Sequence, residues 1–279
     1  MFLITGAKGQ LGLCFKDLLA DKALYFDIDT LDITDREKVL SLASKYKFEA
    51  IINCAAYTAV EKAEEEQEKA FKVNVLGAQN LAELAAETNI PLVYFSTDYI
   101  FDGKAKEPIS ENAEPAPLNY YGKTKFEGEK AVLKYAKTAI IIRTAWLYSA
   151  YGKNFLKTIL NLAQKQEQIK VVKDQIGTPT YAPHLAKAVL DILPKIKKET
   201  KAIYNYTDSD FASWYDFAFD IIKEAGLKTQ VVPILTKDYP SKVKRPAYSV
   251  LSKEKIIKDF NLTLNTWQAG VKKCLKKLS

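Results

Sequence analysis

Phe2-Leu3-Ile4-Thr5-Gly6-Ala7-Lys8-Gly9-Gln10-Leu11-Gly12 opens the chain. The first four residues suit a short buried strand. Three glycines spaced three apart follow, and Leu11 to Leu19 then carries the apolar spacing of an amphipathic helix. Strand, glycine turn and helix in this order are the context that gives a glycine motif meaning. Gly6 makes the turn, Gly9 lets the backbone approach a pyrophosphate, and Gly12 lets the helix lie close to the sheet. The free N–H groups and dipole at the helix start favour phosphate charge. A plain glycine turn is the blander alternative. Strand, spacing and helix together favour an α/β fold with a doubly wound parallel sheet of Rossmann type that binds a dinucleotide.

The next segments extend that reading. A second strand, Ala23 to Phe26, ends in Asp27, placed after the first glycine as a ribose-binding acid would be. Asp27 favours NADH, with Asp29 as a competitor for the role. Lys8 and Arg36 are cations in reach of a 2′-phosphate, so NADPH stays open beside NADH. Asp32 and Ile33 then precede a helix through Val39 and Leu42, with Thr34 as its expected N-cap and Asp32 placed for the adenine. Ala50 to Cys54 is a buried strand, and Ala55-Ala56-Tyr57-Thr58-Ala59-Val60 lies at its carboxyl end, where such sheets hold their ligands. Glu61 to Glu68 reads as the solvated face of one long helix running through Asn74 to Ala86. Asn74 is expected to bridge helix to sheet, or to orient Lys125 through water.

Pro91 to Asp98 is the fourth strand and sets Thr97 on the ligand rim. Asn119-Tyr120-Tyr121-Gly122-Lys123-Thr124-Lys125 then begins a helix. Tyr121 and Lys125 are four apart and share one helical face. A phenol with a pKa near ~10 exchanges protons poorly at neutral pH, and a neighbouring cation is expected to lower that value. With Thr97 nearby, the three side chains suit acid–base work on a carbonyl or alcohol. Alone the Tyr-Lys spacing is weak, since both residues are common here. Ala139 to Trp146 is the fifth strand. Residues 1–147, rejoined by roughly 183–207, read as the dinucleotide-binding domain. Residues 148–279 read mainly as a smaller C-terminal α/β substrate lobe, in which Arg245 is a candidate diphosphate clamp.

Composition narrows the classes. The 279 residues are 48% hydrophobic and 27% charged, ordinary for a soluble globular protein. The net charge of +7 is spread over lysines, without the aromatic-interleaved basic stripe of a nucleic-acid module. No apolar run is long enough to cross a bilayer, and the start of the chain does not look like a signal peptide. No nucleic-acid or membrane partner is expected, and a cytoplasmic location is. Cys14, Cys54 and Cys274 are too far apart in sequence for a zinc motif or disulfide framework and are expected to be reduced and buried. His184 is the one histidine, which excludes a multi-histidine metal site and leaves acid–base chemistry to Tyr, Lys, Asp or Glu. It is expected only to open a helix.

Several stretches occur together. They are the Gly6–Gly12 turn, Asn53-Cys54-Ala55-Ala56, Ser96-Thr97-Asp98-Tyr99 leading to Asp102-Gly103, and Tyr121 with Lys125. With Arg143 to Trp146, Asp174 to Pro179 and Arg245-Pro246, they resemble an extended short-chain dehydrogenase/reductase of the dTDP-4-dehydrorhamnose reductase family. The resemblance runs through nearly the whole chain in order. It implies reduction of the C4 ketone of dTDP-4-dehydro-L-rhamnose, with NADPH or NADH as cofactor and a dTDP-sugar as partner. It assigns the catalytic work to Thr97, Tyr121 and Lys125. Gly6, Gly9, Gln10, Leu11, Gly12, Asp27, Asp32, Ile33, Ala55, Ala56, Tyr57 and Thr58 would bind the dinucleotide, together with Tyr121 and Lys125. Val60, Thr97, Asp98, Tyr99, Trp146 and Arg245 would face the sugar nucleotide. Some members hold Mg2+ near a homodimer contact through acids that have no assigned place here. The alternatives are a reductase or epimerase of another nucleotide sugar, and a regulatory subunit resembling the β-subunit of methionine adenosyltransferase.

Overall fold

The computed structural model describes residues 1–241 and 243–278. Its first half contains β1 (Phe2–Thr5), α1 (Gln10–Leu19), β2 (Ala23–Phe26), α2 (Arg36–Leu40), α3 (Leu42–Lys45) and β3 (Ala50–Asn53). Then come α4 (Val60–Ala63), α5 (Gln67–Phe71), a π-helical turn (Lys72–Leu76), α6 (Gly77–Thr88), β4 (Pro91–Thr97), α7 (Tyr120–Tyr135) and β5 (Thr138–Thr144). The second half begins with β6 (Leu147–Tyr148), α8 (Phe155–Ala163), β7 (Gln168–Val172), β8 (Ile176–Gly177), β9 (Thr180–Tyr181) and α9 (Ala182–Ile192). It ends with β10 (Lys201–Asn205), β11 (Ala212–Ser213), α10 (Trp214–Glu224), β12 (Gln230–Ile234), α11 (Glu254–Phe260) and α12 (Trp267–Leu278).

Apolar runs without alternation, such as Leu92 to Phe95 and Ile140 to Ile142, are buried along their length. Such runs make strands covered on both faces, as a parallel sheet requires. The central sheet has the order β2-β1-β3-β4-β5-β10, and each neighbouring pair is parallel. Ile4, Ile52, Val93, Phe95, Ile140 and Ile142 pack toward α1 and α9. Leu3, Ile51, Leu92, Tyr94 and Ile141 pack toward α6 and α7. Each such side chain contributes about 1.5–3 kcal/mol by leaving water. Because β1 lies between β2 and β3, the winding reverses there, and a crevice opens beyond the strand ends.

The long helix expected from Glu61 to Ala86 is broken. The backbone leaves the helical path at Glu66 (φ −100°, ψ 46°), and in the same turn Glu64 Oε1 accepts from Tyr120 N at 2.7 Å, fastening the start of α7. At Asn74 the backbone carbonyl accepts from the Tyr94 hydroxyl at 3.2 Å within the π-helical turn. An outside donor inserted into a helix ladder is a recognised cause of such a turn. The expected cap at Thr34 is also corrected. Thr34 bonds the Asp32 carboxylate through both its N–H (2.9 Å) and its hydroxyl (2.8 Å). Asp35 is the N-cap, accepting from Lys38 N at 3.1 Å.

Beyond β5 the chain builds a second core. Helices α8, α10 and α12 pack round Leu156, Phe217, Ile221 and Val271, and β7 pairs in parallel with β12. Helix α11 is short, and sequence reasoning did not single it out; it buries Ile256 and Phe260, four residues apart on one face. It packs Phe260 edge-on against Tyr204 of β10 at 5.1 Å between ring centroids.

Candidate active site

Helix α7 carries the Tyr121–Lys125 pair, and its position is tightly specified. The Asn119 side chain caps it by accepting from Gly122 N at 2.9 Å, and donates to Lys244 O at 3.1 Å. A Cβ on Gly122 would lie 2.1 Å from Tyr99 O, so only glycine lets α7 descend onto the end of β4. That approach sets Tyr121 edge-on to Tyr99, with ring centroids 5.7 Å apart. It also sets the half-buried Tyr121 phenol near the Thr97 hydroxyl. Thr97 itself donates to Asp98 Oδ1 at 3.1 Å and accepts from Tyr99 N at 3.2 Å. Lys125 is buried, with its Nζ 4.1 Å from the centre of the Tyr94 ring, a cation–π contact.

Desolvation dominates the electrostatics here. It pushes the Tyr121 phenol above its ordinary value, opposed by the Thr97 hydroxyl, while Asp98 and Tyr99 push it further up. Burial lowers Lys125 to about 7, opposed by the Glu129 carboxylate. The expected lowering of the phenol by Lys125 is therefore not found. A dry pocket outweighs it, and an ammonium balanced near neutrality is a weak electrostatic partner. Asp98 is pushed up to about 6 by burial, opposed by the neighbouring Ser249 and Thr97 hydroxyls, of which Thr97 donates to it.

A cleft of about 610 Å³ lies at the reversal of the sheet. Gly6, Gly9, Asp27, Asp32, Ile33, Ala55, Ala56, Tyr57 and Thr58 line it together. Gln10, Leu11 and Gly12 do not line it with their side chains. Leu11 is in the core, Gly12 packs where a Cβ would meet Gly6 O at 2.3 Å, and the Gln10 carboxamide turns to the second lobe. What these three offer is backbone. Among the described residues no side chain caps the start of α1. A Cβ at Gly9 would meet Gly6 O at a tight 3.1 Å and nothing else within 4 Å, so the space beyond this glycine is open. Open amides, a bare glycine and a cleft of this volume fit a dinucleotide.

Asn74 joins cleft to helix. It accepts from Tyr57 N at 2.9 Å and donates to Tyr57 O (3.1 Å) and to Thr124 Oγ1 (3.0 Å). Both Asp27 oxygens accept backbone N–H groups, from Lys8 at 2.8 Å and Ile28 at 2.9 Å. Lys8 pairs with Asp29 at 2.7 Å. Arg36, expected beside a 2′-phosphate, pairs instead with Glu83 at 2.7 Å and does not line the cleft. Lys62 and Lys69 do line it. They were hidden in a charge run whose composition looks like plain solvated helix.

The residues expected to face a sugar nucleotide divide into two sets. Val60 opens α4 beside Glu61, whose carboxylate is 3.4 Å from the Arg245 guanidinium. Burial pushes the Tyr99 phenol up to about 12, and the neighbouring Arg245 guanidinium opposes the rise. Trp146 packs with the second core. Its φ of 47° is left-handed, unusual for a bulky residue, and its indole stacks on Trp214 at 3.5 Å and 7°. Sequence reasoning gave Trp214 no role. His184 is also more than a helix-start residue, since its Nδ1 lies 3.0 Å from the buried Asp208 carboxylate.

The model of the RmlD substrate binding domain matches residues 1–279. The chain belongs to the RmlD family. Among RmlD-like relatives, the dTDP-4-dehydrorhamnose reductase of Aggregatibacter actinomycetemcomitans is 42% identical over 283 residues, covering 97% of this chain and 96% of the relative. The crystal structure of a dTDP-4-dehydrorhamnose reductase from Clostridium acetobutylicum superposes with a TM-score of 0.94 at 40% identity, covering 99% of each chain. A dTDP-4-dehydrorhamnose reductase from Bacillus anthracis, solved in complex with NADP, has a TM-score of 0.94 at 35% identity, covering 99% of this chain and 98% of that one. The RmlD fold therefore extends over both lobes of the chain.

Proposed function

We infer that this protein is a dTDP-4-dehydrorhamnose reductase, converting the C4 ketone of dTDP-4-dehydro-L-rhamnose to the alcohol of dTDP-L-rhamnose with NADPH or NADH. One observation carries the reading. The half-buried Tyr121 phenol, its pKa raised by desolvation, stands edge-on to Tyr99 just beyond Thr97 at the end of β4, with the buried Lys125 one turn along the same helix.

Bound in the cleft, the reduced nicotinamide supplies the hydride that the ketone needs. The backbone amides at Gln10, Leu11 and Gly12 would hold the pyrophosphate, with Gly9 clearing its path. Lys125 would hold the nicotinamide ribose. Because its phenol is pushed up, Tyr121 keeps its proton at neutral pH and is the proton donor to the developing alkoxide. Thr97 donates to the same oxygen, a bond that strengthens as charge builds. Val60, Asp98, Tyr99, Trp146 and Arg245 would face the sugar nucleotide. Asp27 is already occupied by backbone donors, and Lys8, Lys62 and Lys69 surround the cleft, which supports use of NADPH beside NADH.

We assign residues 1–147 with 183–207 to the dinucleotide and 148–279 mainly to the sugar nucleotide. Among the described residues no helix is long and apolar enough to cross a membrane. We propose that the enzyme works in the cytoplasm, where reduced thiols such as Cys14, Cys54 and Cys274 persist. A homodimer is proposed as its assembly.

The test is loss of reduced-nicotinamide absorbance with dTDP-4-dehydro-L-rhamnose, run with NADPH and with NADH, and product analysis. Turnover only on a different nucleotide sugar would move the assignment within the reductases and epimerases. Dinucleotide binding with no turnover on any keto sugar would support the regulatory-subunit reading instead.

A further inference from the structure

Gln10 occupies the first position of α1, where its backbone faces the pyrophosphate site proposed above. Its side chain looks the other way. Gln10 Oε1 accepts from Ser149 Oγ at 3.1 Å and from Asn154 Nδ2 at 2.9 Å. The same loop is fastened to α1 again two turns on, where the Tyr151 hydroxyl bonds the Asp17 carboxylate at 2.8 Å. The loop that launches the second lobe is thus held along one face of the helix that begins at the glycine turn.

Asn154 is the joint in this arrangement. Its Oδ1 caps α8 by accepting from Lys157 N at 3.1 Å, while its Nδ2 reaches Gln10 and also Ser149 O at 2.8 Å. The next residue, Phe155, packs on Trp214 with centroids 4.6 Å apart. Trp214 lies flat on Trp146. Trp146 in turn is pressed against Gly177, where a Cβ would come within 2.6 Å of the indole, and its backbone is left-handed. A bulky residue in that conformation persists only where its surroundings hold it. A continuous line of contacts therefore joins the pyrophosphate turn to the strained tryptophan.

We propose that Asn154 is a positioning residue through which occupancy of the dinucleotide cleft sets the Trp214–Trp146 pair, so that cofactor tightens binding of the sugar nucleotide; the proposal rests on the reductase reading above. Phosphate drawn to the amides of the first α1 turn fixes Gln10, and Asn154 carries that constraint into α8. The effect on affinity is reciprocal: sugar nucleotide tightens cofactor binding by the same factor.

Calorimetric titration of dTDP-L-rhamnose into the protein, without and with saturating NADP⁺, tests the link. In the wild type NADP⁺ is expected to tighten binding on the order of five- to hundredfold. In Asn154→Ser the hydroxyl still caps α8, so the melting temperature stays close to wild type, but the shorter side chain does not reach Gln10. There the tightening is expected to fall to about twofold or less, with NADP⁺ binding alone unchanged. Asn154→Ala adds loss of the cap and serves to separate stability from coupling. Full tightening in Asn154→Ser, or no tightening in the wild type, overturns the link. A wild-type protein that binds NADP⁺ but no dTDP-sugar overturns the functional reading itself.

Discussion

Asn74 and Tyr57 exchange a reciprocal pair of hydrogen bonds, amide to backbone carbonyl and backbone N–H to amide oxygen, at 3.1 and 2.9 Å. The pair fixes the rim of the cleft to the π-helical turn, and the further bond from Asn74 Nδ2 to Thr124 Oγ1 ties both to the helix that carries Tyr121. Asn74→Ala leaves the half-buried backbone groups of Tyr57 without these partners, at a cost of about 1 kcal/mol. We expect a lower urea midpoint together with a raised KM for NADPH. A midpoint and a KM that both match wild type would remove Asn74 from this role.

Tyr121→Phe keeps the ring and its contact with Tyr99 but has no proton to give. Turnover should fall by about 10²–10⁴-fold, the usual weight of a positioned general acid. NADPH affinity, measured by fluorescence titration, should stay close to wild type. Turnover near that of the parent enzyme would show that the proton comes from elsewhere.

Gly122→Ala puts a methyl group into the Tyr99 carbonyl, so α7 has to rise from the strand end. Overpacking of this kind costs about 1–3 kcal/mol. Because the shift separates Tyr121 from Thr97, kcat should drop more than thermal stability alone accounts for. Steady-state kinetics well below the melting temperature distinguish the two effects.

Lys125 gives a pH signature. Its folded value of about 7 lies below the ordinary lysine value of 10.5, so within that window the folded chain holds fewer protons than the unfolded one. Its contribution to stability therefore rises with pH across the window, and below about 7 the cost of the buried charge is fully present. Lys125→Met should be more stable than wild type near the lower edge of the window and lose that advantage toward the upper edge. Urea midpoints at several pH values read this directly, and parallel curves for the two proteins would contradict it.

Arg143 and Glu129 form a buried two-point pair between β5 and α7, at 2.9 and 2.8 Å. Removing one member strands the other charge, so Glu129→Ala should cost about 3–5 kcal/mol. Replacing both with apolar residues of similar volume should recover most of that loss in a denaturation series.

Much of this was legible in the sequence because it is local. The strand, the glycine spacing and the helix that follows are neighbours in the chain, and so are Tyr121 and Lys125. What stayed hidden depends on contacts between distant segments. The π-helical turn needs the Tyr94 hydroxyl, the Trp146 stack needs Trp214, and the partners of Arg36 and His184 lie far along the chain. The Tyr121 shift runs against expectation for a related reason, and Lys125 shifts with it. Their direction follows from burial, a property of the packed protein that a four-residue spacing does not reveal.

The strand at Lys201–Asn205 returns from the distal half of the chain to lie against β5. A fragment stopped at residue 147 would lack it and would present β5 as a bare hydrogen-bonding border, open to self-association. It would also lose α9 and so uncover the apolar surface of α1. The two halves are consequently not interchangeable cassettes. Swapping the distal half onto another dehydrogenase requires carrying this stitched-in strand along with it.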